Sequence, residues 1–257
     1  MSSVLYDGAI RTTSVADPHS FIDNLFPDEA IFGPWMNPDQ LSEFWQSFNN
    51  AHPTAWADIL TGLRQANGEN HMAAFLNLLS HHSSSSNRLW SAANKDKPAG
   101  GDVNCKPDLV CYDPLHGNDP LDWSQFTSVS ELKCGEYKDV YGLLLECAVV
   151  LFRSQDSHRF VLTFTIVKGF MTVALFDRGG SIVSDTFDIQ RNRDLFLHSI
   201  LRLTSAPLAS LGYDVTIATY CTTRTLSSTF IPNVHLLCVL HVAECIHGRG
   251  TVVWLAK

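Results

Sequence analysis

The chain has 257 residues, 45% hydrophobic and 17% charged, with mean hydropathy near zero. This excludes a disordered polymer and supplies enough apolar surface for one sizeable core or two small ones. The formal charge of −8 is uneven: residues 1–60 hold eight acids against Arg11 alone, and the remainder is nearly balanced. Without a broad basic field, the composition neither supports nor excludes a nucleic-acid partner. The amino terminus has no apolar run of signal-peptide length, and no apolar stretch in the chain reaches the roughly 18 residues of a membrane helix. The expectation is an intracellular protein of cytoplasm or nucleus with no membrane partner. Seven cysteines without a C-x-x-C pair, several in apolar surroundings such as LLECAVV, read as buried free thiols in a reducing compartment.

In chain order, residues 1–34 show poor periodicity and read as an irregular acidic arm, with Phe21, Leu25, Phe26 and Phe32 available for docking. Asn37-Pro38-Asp39-Gln40 starts a helix with a cap, a proline at the first helical position and a glutamine at the third. Leu41, Phe44, Trp45 and Phe48 form its apolar stripe. A second helix follows Pro53, with Trp56, Ile59, Leu60 and Leu63 inward and Gly68 near its end. A third covers about His71 to Leu79, and HHSSSSN closes the helical part as a polar, solvated loop.

Beyond that loop the period shortens. Leu109 to Tyr112 and Phe126 to Cys134 are strand-like, separated by the turn-rich DPLHGNDPLDW. Tyr137 to Gln155 is helical; RFVLTFTIV, GFMTVALF and SIVSDTFDI are three further strands, with a turn at Lys168-Gly169; and Asn192 to Thr204 is helical again. VHLLCVLHV and TVVWL follow as strands near the carboxyl end. The order predicts an α/β or α+β layer structure around a mixed sheet. It divides the chain into the arm at 1–34, a main body at 35–210 and a strand-rich segment at 211–257.

Two stretches carry candidate chemistry, KPDLVCYD (residues 106–113) and SVSELKCG (residues 128–135). In a strand, side chains alternate with period two, so Glu131 and Lys133 share one face. Antiparallel pairing of the two strands would bring Asp108 beside them. Two carboxylates and an ammonium together suit phosphodiester hydrolysis. Asp108 and Glu131 would hold Mg²⁺, with Mn²⁺ as an alternative, while Lys133 positions water or stabilises the transition state. The competing reading is a surface ion pair on a sheet, since Pro-Asp recurs at Pro27-Asp28 and Pro38-Asp39 and Glu136-Tyr137-Lys138 repeats the E-x-K spacing.

These residues resemble the PD-(D/E)xK restriction-endonuclease-like superfamily, with Asp108 matching its first acid, Glu131 its second and Lys133 its lysine. The resemblance implies amino-terminal helices followed by a mixed sheet flanked by helices, and a Mg-dependent nuclease-like module acting on DNA or RNA. A longer resemblance, over roughly residues 35–257, is to the amino-terminal region of fungal-type protein kinases. It rests on KPDLVCYD, SVSELK, FRSQ, RFVLTFTIVKGFMTVALFDRGGSIVS and HGRGTVVWLAK. Related fungal toxin and effector proteins place a nuclease-like module before a kinase, so residues 211–257 are expected to lead into the start of a truncated kinase-like N-lobe.

The alternative function implied is a non-catalytic regulatory or interaction domain serving an adjoining kinase, its acidic arm engaging a basic protein partner. GRGT at residues 248–251 departs from a glycine-rich phosphate loop because Val253 stands where a third glycine would be. A simple turn explains it equally, and a competent kinase is not expected of this chain. Weaker candidates are His81, His82, His116 and His158, Asp113 as turn chemistry with Pro114, and a helical acid at Glu43 or Glu69. Arg153, Arg159, Arg178, Arg191 and Arg193 could track a nucleic-acid backbone.

Overall fold

A computed structural model describes residues 12–25, 38–65, 68–83, 87–92, 98–101, 105–114, 121–135, 140–178, 180–220, 223–230, 233–242 and 252–257. In chain order the strands and α-helices are β1 (Thr12–Ala16), α1 (Pro18–Leu25), α2 (Pro38–Ala51), α3 (Ala55–Gly62), α4 (Gly68–Ser83), β2 (Leu89–Ser91), β3 (Leu109–Tyr112), β4 (Phe126–Lys133), α5 (Val140–Ser154), β5 (Phe160–Val167), β6 (Phe170–Asp177), β7 (Ser181–Ser184), β8 (Phe187–Asp188), α6 (Arg193–Ser205), β9 (Ile217–Tyr220), β10 (Thr223–Leu226), β11 (Val234–Val242) and β12 (Val252–Ala256). The fold is a mixed α+β one, as the order of periods predicts. Among the described residues, no helix is long and apolar enough to cross a membrane.

The described residues build two sheets. The larger has eight strands in the order β1-β7-β6-β5-β4-β3-β2, with β8 beside β6. Its β4–β5 and β1–β7 pairs are parallel. The parallel β4–β5 pair requires a crossover, which α5 supplies. The β5–β6 hairpin closes at Lys168 (φ 53°) and Gly169 (φ 84°), two left-handed residues that match the twist of the strands they join.

Period two divides the sheet into two apolar faces. Val110, Val129, Val161, Ala174 and Phe176 pack with Leu144, Cys147, Ala148 and Leu151 of α5. Leu109, Cys111, Leu162, Phe164, Ile166 and Val173 share the other core with residues of α1 to α4 and α6. The large apolar side chains buried on α2 are Leu41, Trp45 and Phe48, and on α4 Met72, Phe75, Leu76 and Leu79, the one-sided stripes of amphipathic helices. Burying each such side chain contributes about 1.5–3 kcal/mol before conformational entropy is counted.

Several boundaries differ from the sequence expectation. The stretch 1–34 is not wholly irregular: β1 pairs with the far edge of the sheet at β7, and α1 buries Phe21 and Ile22. Leu25, Phe26 and Phe32 lie outside the residues whose side chains are described. Gly68 opens α4 rather than closing the helix before it, and α4 runs on through His81, His82 and Ser83. Those last residues are held because the His82 ring meets Phe44 and Phe48 edge-on and its Nε2 lies 3.1 Å from Ser47 Oγ. SIVSDTFDI breaks into β7 and the short β8, since β8 returns to pair with β6 instead of extending β7.

Residues 211–257 contribute the second sheet, antiparallel in the order β12-β11-β10-β9. Arg224 on β10 joins it to the main body, donating to both carboxylate oxygens of Asp156 at 2.6 and 2.8 Å and lying 4.3 Å over the Trp254 ring. Just before this sheet, the Gly212 carbonyl accepts a hydrogen bond from the Arg159 backbone N–H at 2.7 Å. Its φ is +98°, and a Cβ there would fall 1.9 Å from Phe160 O. Backbone conformation and space both exclude a side chain. Gly212→Ala is therefore expected to lower unfolding free energy by at least about 1 kcal/mol, read as a fall in the urea midpoint at unchanged slope.

Candidate functional site

The geometry begins with register. In the antiparallel β3–β4 pair, Leu109 stands opposite Ser130 and Val110 opposite Val129. Asp108, one residue before β3, is thereby carried to the level of Glu131. Pro107 is buried, and its ring fixes φ at the approach to the strand. On β4, Glu131 and Lys133 fall on the same side two residues apart, as strand alternation requires.

The three side chains meet. Lys133 Nζ donates to Asp108 Oδ2 at 2.6 Å and to Glu131 Oε2 at 2.8 Å. Asp108 Oδ2 also accepts from the backbone N–H of Leu132 at 2.9 Å, so the carboxylate is oriented by β4 itself as well as by the lysine. Glu131 is only 3% exposed; Asp108 and Lys133 are half-buried.

Burial, and then the charge of Asp108, push the Glu131 carboxyl up to about 7 against the opposing pull of Lys133. Burial acts to lower the Lys133 ammonium. Its hydrogen bonds to Asp108 and Glu131 outweigh that effect and hold it above the ordinary lysine range.

Asp108 and Lys133 line a cleft of about 360 Å³ at the end of the sheet, together with Gln65, Glu69, Cys134 and Lys168. Glu131 lies behind this wall. Of the two helical acids raised by the sequence, Glu69 in the first turn of α4 lines the cleft, whereas Glu43 is exposed on α2. Among the described residues, no group of three or more His, Cys, Asp or Glu side chains is placed to hold a metal. The two carboxylates that converge on Lys133 Nζ are those of Asp108 and Glu131.

The other candidates do not join them. His158 is buried with Nδ1 3.0 Å from Phe160 O and its ring packed on Tyr213; burial lowers it to about 4. His81 is exposed at the end of α4, and burial, with help from the charge of His52, lowers His82. His116 and Gly248 to Thr251 lie outside the described residues. Two of the five arginines pack on aromatic rings, Arg178 sitting 4.8 Å over Phe152 and donating to its carbonyl and Arg193 lying 4.6 Å over Trp45, while the exposed Arg191 pairs with Asp188 at 3.6 Å.

Two features of the sequence acquire roles only here. Gln155, at the end of FRSQ, donates from Nε2 to Trp123 O and Phe126 O, both at 2.7 Å, and so anchors the start of the strand that carries Glu131 and Lys133. The Asp156–Arg224 pair spans 68 positions, and no local pattern signals it.

The comparison with known proteins bears on this same region. The fungal protein kinase family matches residues 106–257, a span that takes in Asp108, Glu131 and Lys133 and both sheets from β3 onward. No curated protein and no solved structure matches the chain.

The raised carboxyl makes stability depend on pH in a definite direction. A proton binds Glu131 more tightly in the folded chain than in the unfolded one, so its contribution is greatest below about 4.5 and is lost as pH rises towards about 7. Urea denaturation of the metal-free protein across that window is expected to show this loss, and Glu131→Gln is expected to remove it. An identical pH profile in both proteins would show that Glu131 titrates normally.

Proposed function

The chain belongs to the fungal protein kinase family, and from that premise we propose that its Asp108–Glu131–Lys133 cluster is a nuclease-like centre, hydrolysing phosphodiester bonds of DNA or RNA with a divalent cation. The observation that carries this reading is the convergence of two carboxylate oxygens on one positive charge, Lys133 Nζ, at the wall of a cleft. Hard oxygens so placed suit Mg²⁺ or Mn²⁺, which draw their remaining ligands from water and a substrate phosphate. Asp108 and Glu131 would hold the ion, and the chemistry it supplies when bound is a more acidic water and neutralisation of phosphoryl charge.

The chain's own groups do the rest. Asp108 stays oriented by the Leu132 N–H when Lys133 turns away from it. Lys133, released from its carboxylates, has three N–H donors for an attacking water or a phosphoryl oxygen on which charge develops. Burial of Glu131 keeps competing water from one side of the site.

A second reading is favoured by the same distances. With Lys133 already bonded to both carboxylates, the trio is a complete ion cluster that ties β3 to β4 without any ligand. The module would then be a regulatory or protein-interaction domain associated with a kinase, and its acidic amino-terminal residues would engage a basic partner.

One comparison separates them. The purified chain, Asp108→Asn and Lys133→Ala are incubated with plasmid, single-stranded DNA and RNA in Mg²⁺, Mn²⁺ or EDTA. Metal-dependent cleavage is expected from the parent chain, with a loss of about 10²-fold or more in each variant. Equal cleavage by all three, or none with any metal, overturns the nuclease reading and leaves the structural ion cluster.

A further inference from the structure

A pair of thiols includes the residue three positions before Asp108. Cys105 and Cys147 sit in the core between the sheet and α5, with their Sγ atoms 2.8 Å apart. Both are free thiols. A disulfide bond is about 2.05 Å long, so closing the pair requires an approach of less than one ångström. Their surroundings are apolar, including Val110, Trp123, Leu144 and Ala148, so each sulfur has the other as its polar neighbour.

The remaining described cysteines are not placed to compete. Cys111 packs in the core on the opposite face of the sheet, and Cys134 and Cys238 are exposed at the surface.

We propose that Cys105 and Cys147 are a redox modification site, a dithiol that hydrogen peroxide converts to a disulfide fastening the Asp108-bearing segment to α5. Cys105 retains 4% exposure and Cys147 none, so Cys105 is the sulfur a small oxidant reaches first. Its sulfur attacks one peroxide oxygen, the O–O bond breaks, and a sulfenic acid forms with release of water. Cys147 sulfur then attacks Cys105 sulfur, the S–O bond breaks, and the departing hydroxide takes the Cys147 proton as a second water. Two thiols are oxidised by two electrons, and one peroxide is reduced.

The consequence is mechanical. Only Lys106 and Pro107 separate Cys105 from Asp108, and Pro107 is stiff. Cys147 lies near the middle of α5, the helix that crosses from β4 to β5. Oxidation would therefore replace a contact between thiols by a covalent tie at the start of the segment that delivers the first acid. Reduction by a dithiol would release it.

The test uses the whole reduced chain, treated with graded hydrogen peroxide, denatured, alkylated with iodoacetamide and digested without reduction. The expected product is a cross-linked peptide pair joining Cys105 to Cys147, lighter by two hydrogens than the separate peptides and abolished by dithiothreitol. Cys111 should remain alkylatable. In Cys147→Ser, Cys105 is expected to stop at the sulfenic acid and to be trapped by dimedone. If that variant does not fold, the peptide map of the unaltered chain decides alone. Full alkylation of Cys105 and Cys147 after Cys134 and Cys238 have been consumed, or a cross-link from Cys105 to any other cysteine, would overturn the proposal.

Discussion

The register of β3 against β4 is the constraint from which the site and much of the core follow. With Leu109 opposite Ser130, Asp108 reaches the level of Glu131, and Leu132 N–H can hold its carboxylate. A slip of one residue would turn every side chain of β4 to the other face. Val129 would leave the α5 core, Leu132 would enter it, and Lys133 would be drawn away from Asp108. Packing and the ion cluster therefore enforce the same alignment. The hydrophobic cost of a slip fixes the strand, and the strand in turn holds Glu131 where burial works against its charge.

That order of cause explains why the convergence of Asp108, Glu131 and Lys133 is legible in the sequence. Period two in SVSELK and the short run LVCY were enough to put Glu131 and Lys133 on one face and to bring Asp108 near them by antiparallel pairing. The stripes of α2 and α4 and the Lys168-Gly169 turn were legible for the same reason, since each depends on neighbours within a few residues. What could not be read involves distant partners. Nothing near Thr12 announces Ser181, nothing near Asp156 announces Arg224, and Gln155 acquires meaning only when Trp123 and Phe126 are brought to it. The helix end at His82 belongs to the same class, because the aromatic rings that hold it come from α2.

The carboxylate–lysine cluster lies within the span that matches the fungal protein kinase family. The family span begins at Lys106, ahead of β3, and runs through the larger sheet into the antiparallel one that Arg224 fastens to it. The link is a bidentate guanidinium–carboxylate pair backed by an indole ring, a combination that fixes orientation more strictly than a lysine could. The acidity of residues 1–60 falls outside that span, so the region with the largest charge imbalance and the region with the candidate chemistry are separate.

The parallel pairing of β1 with β7 joins Thr12 to Ser181 across most of the main body. On a ribosome this has a temporal meaning. β1, which precedes β7 in the chain, has no partner until β7 has emerged, and the hairpins of β5, β6 and β7 can form from nearby sequence. Contacts so distant in the chain close slowly, and an uncovered strand edge is a template for wrong pairings while it waits. β1 thus acts late, as the seal on an edge that β5, β6 and β7 have already built.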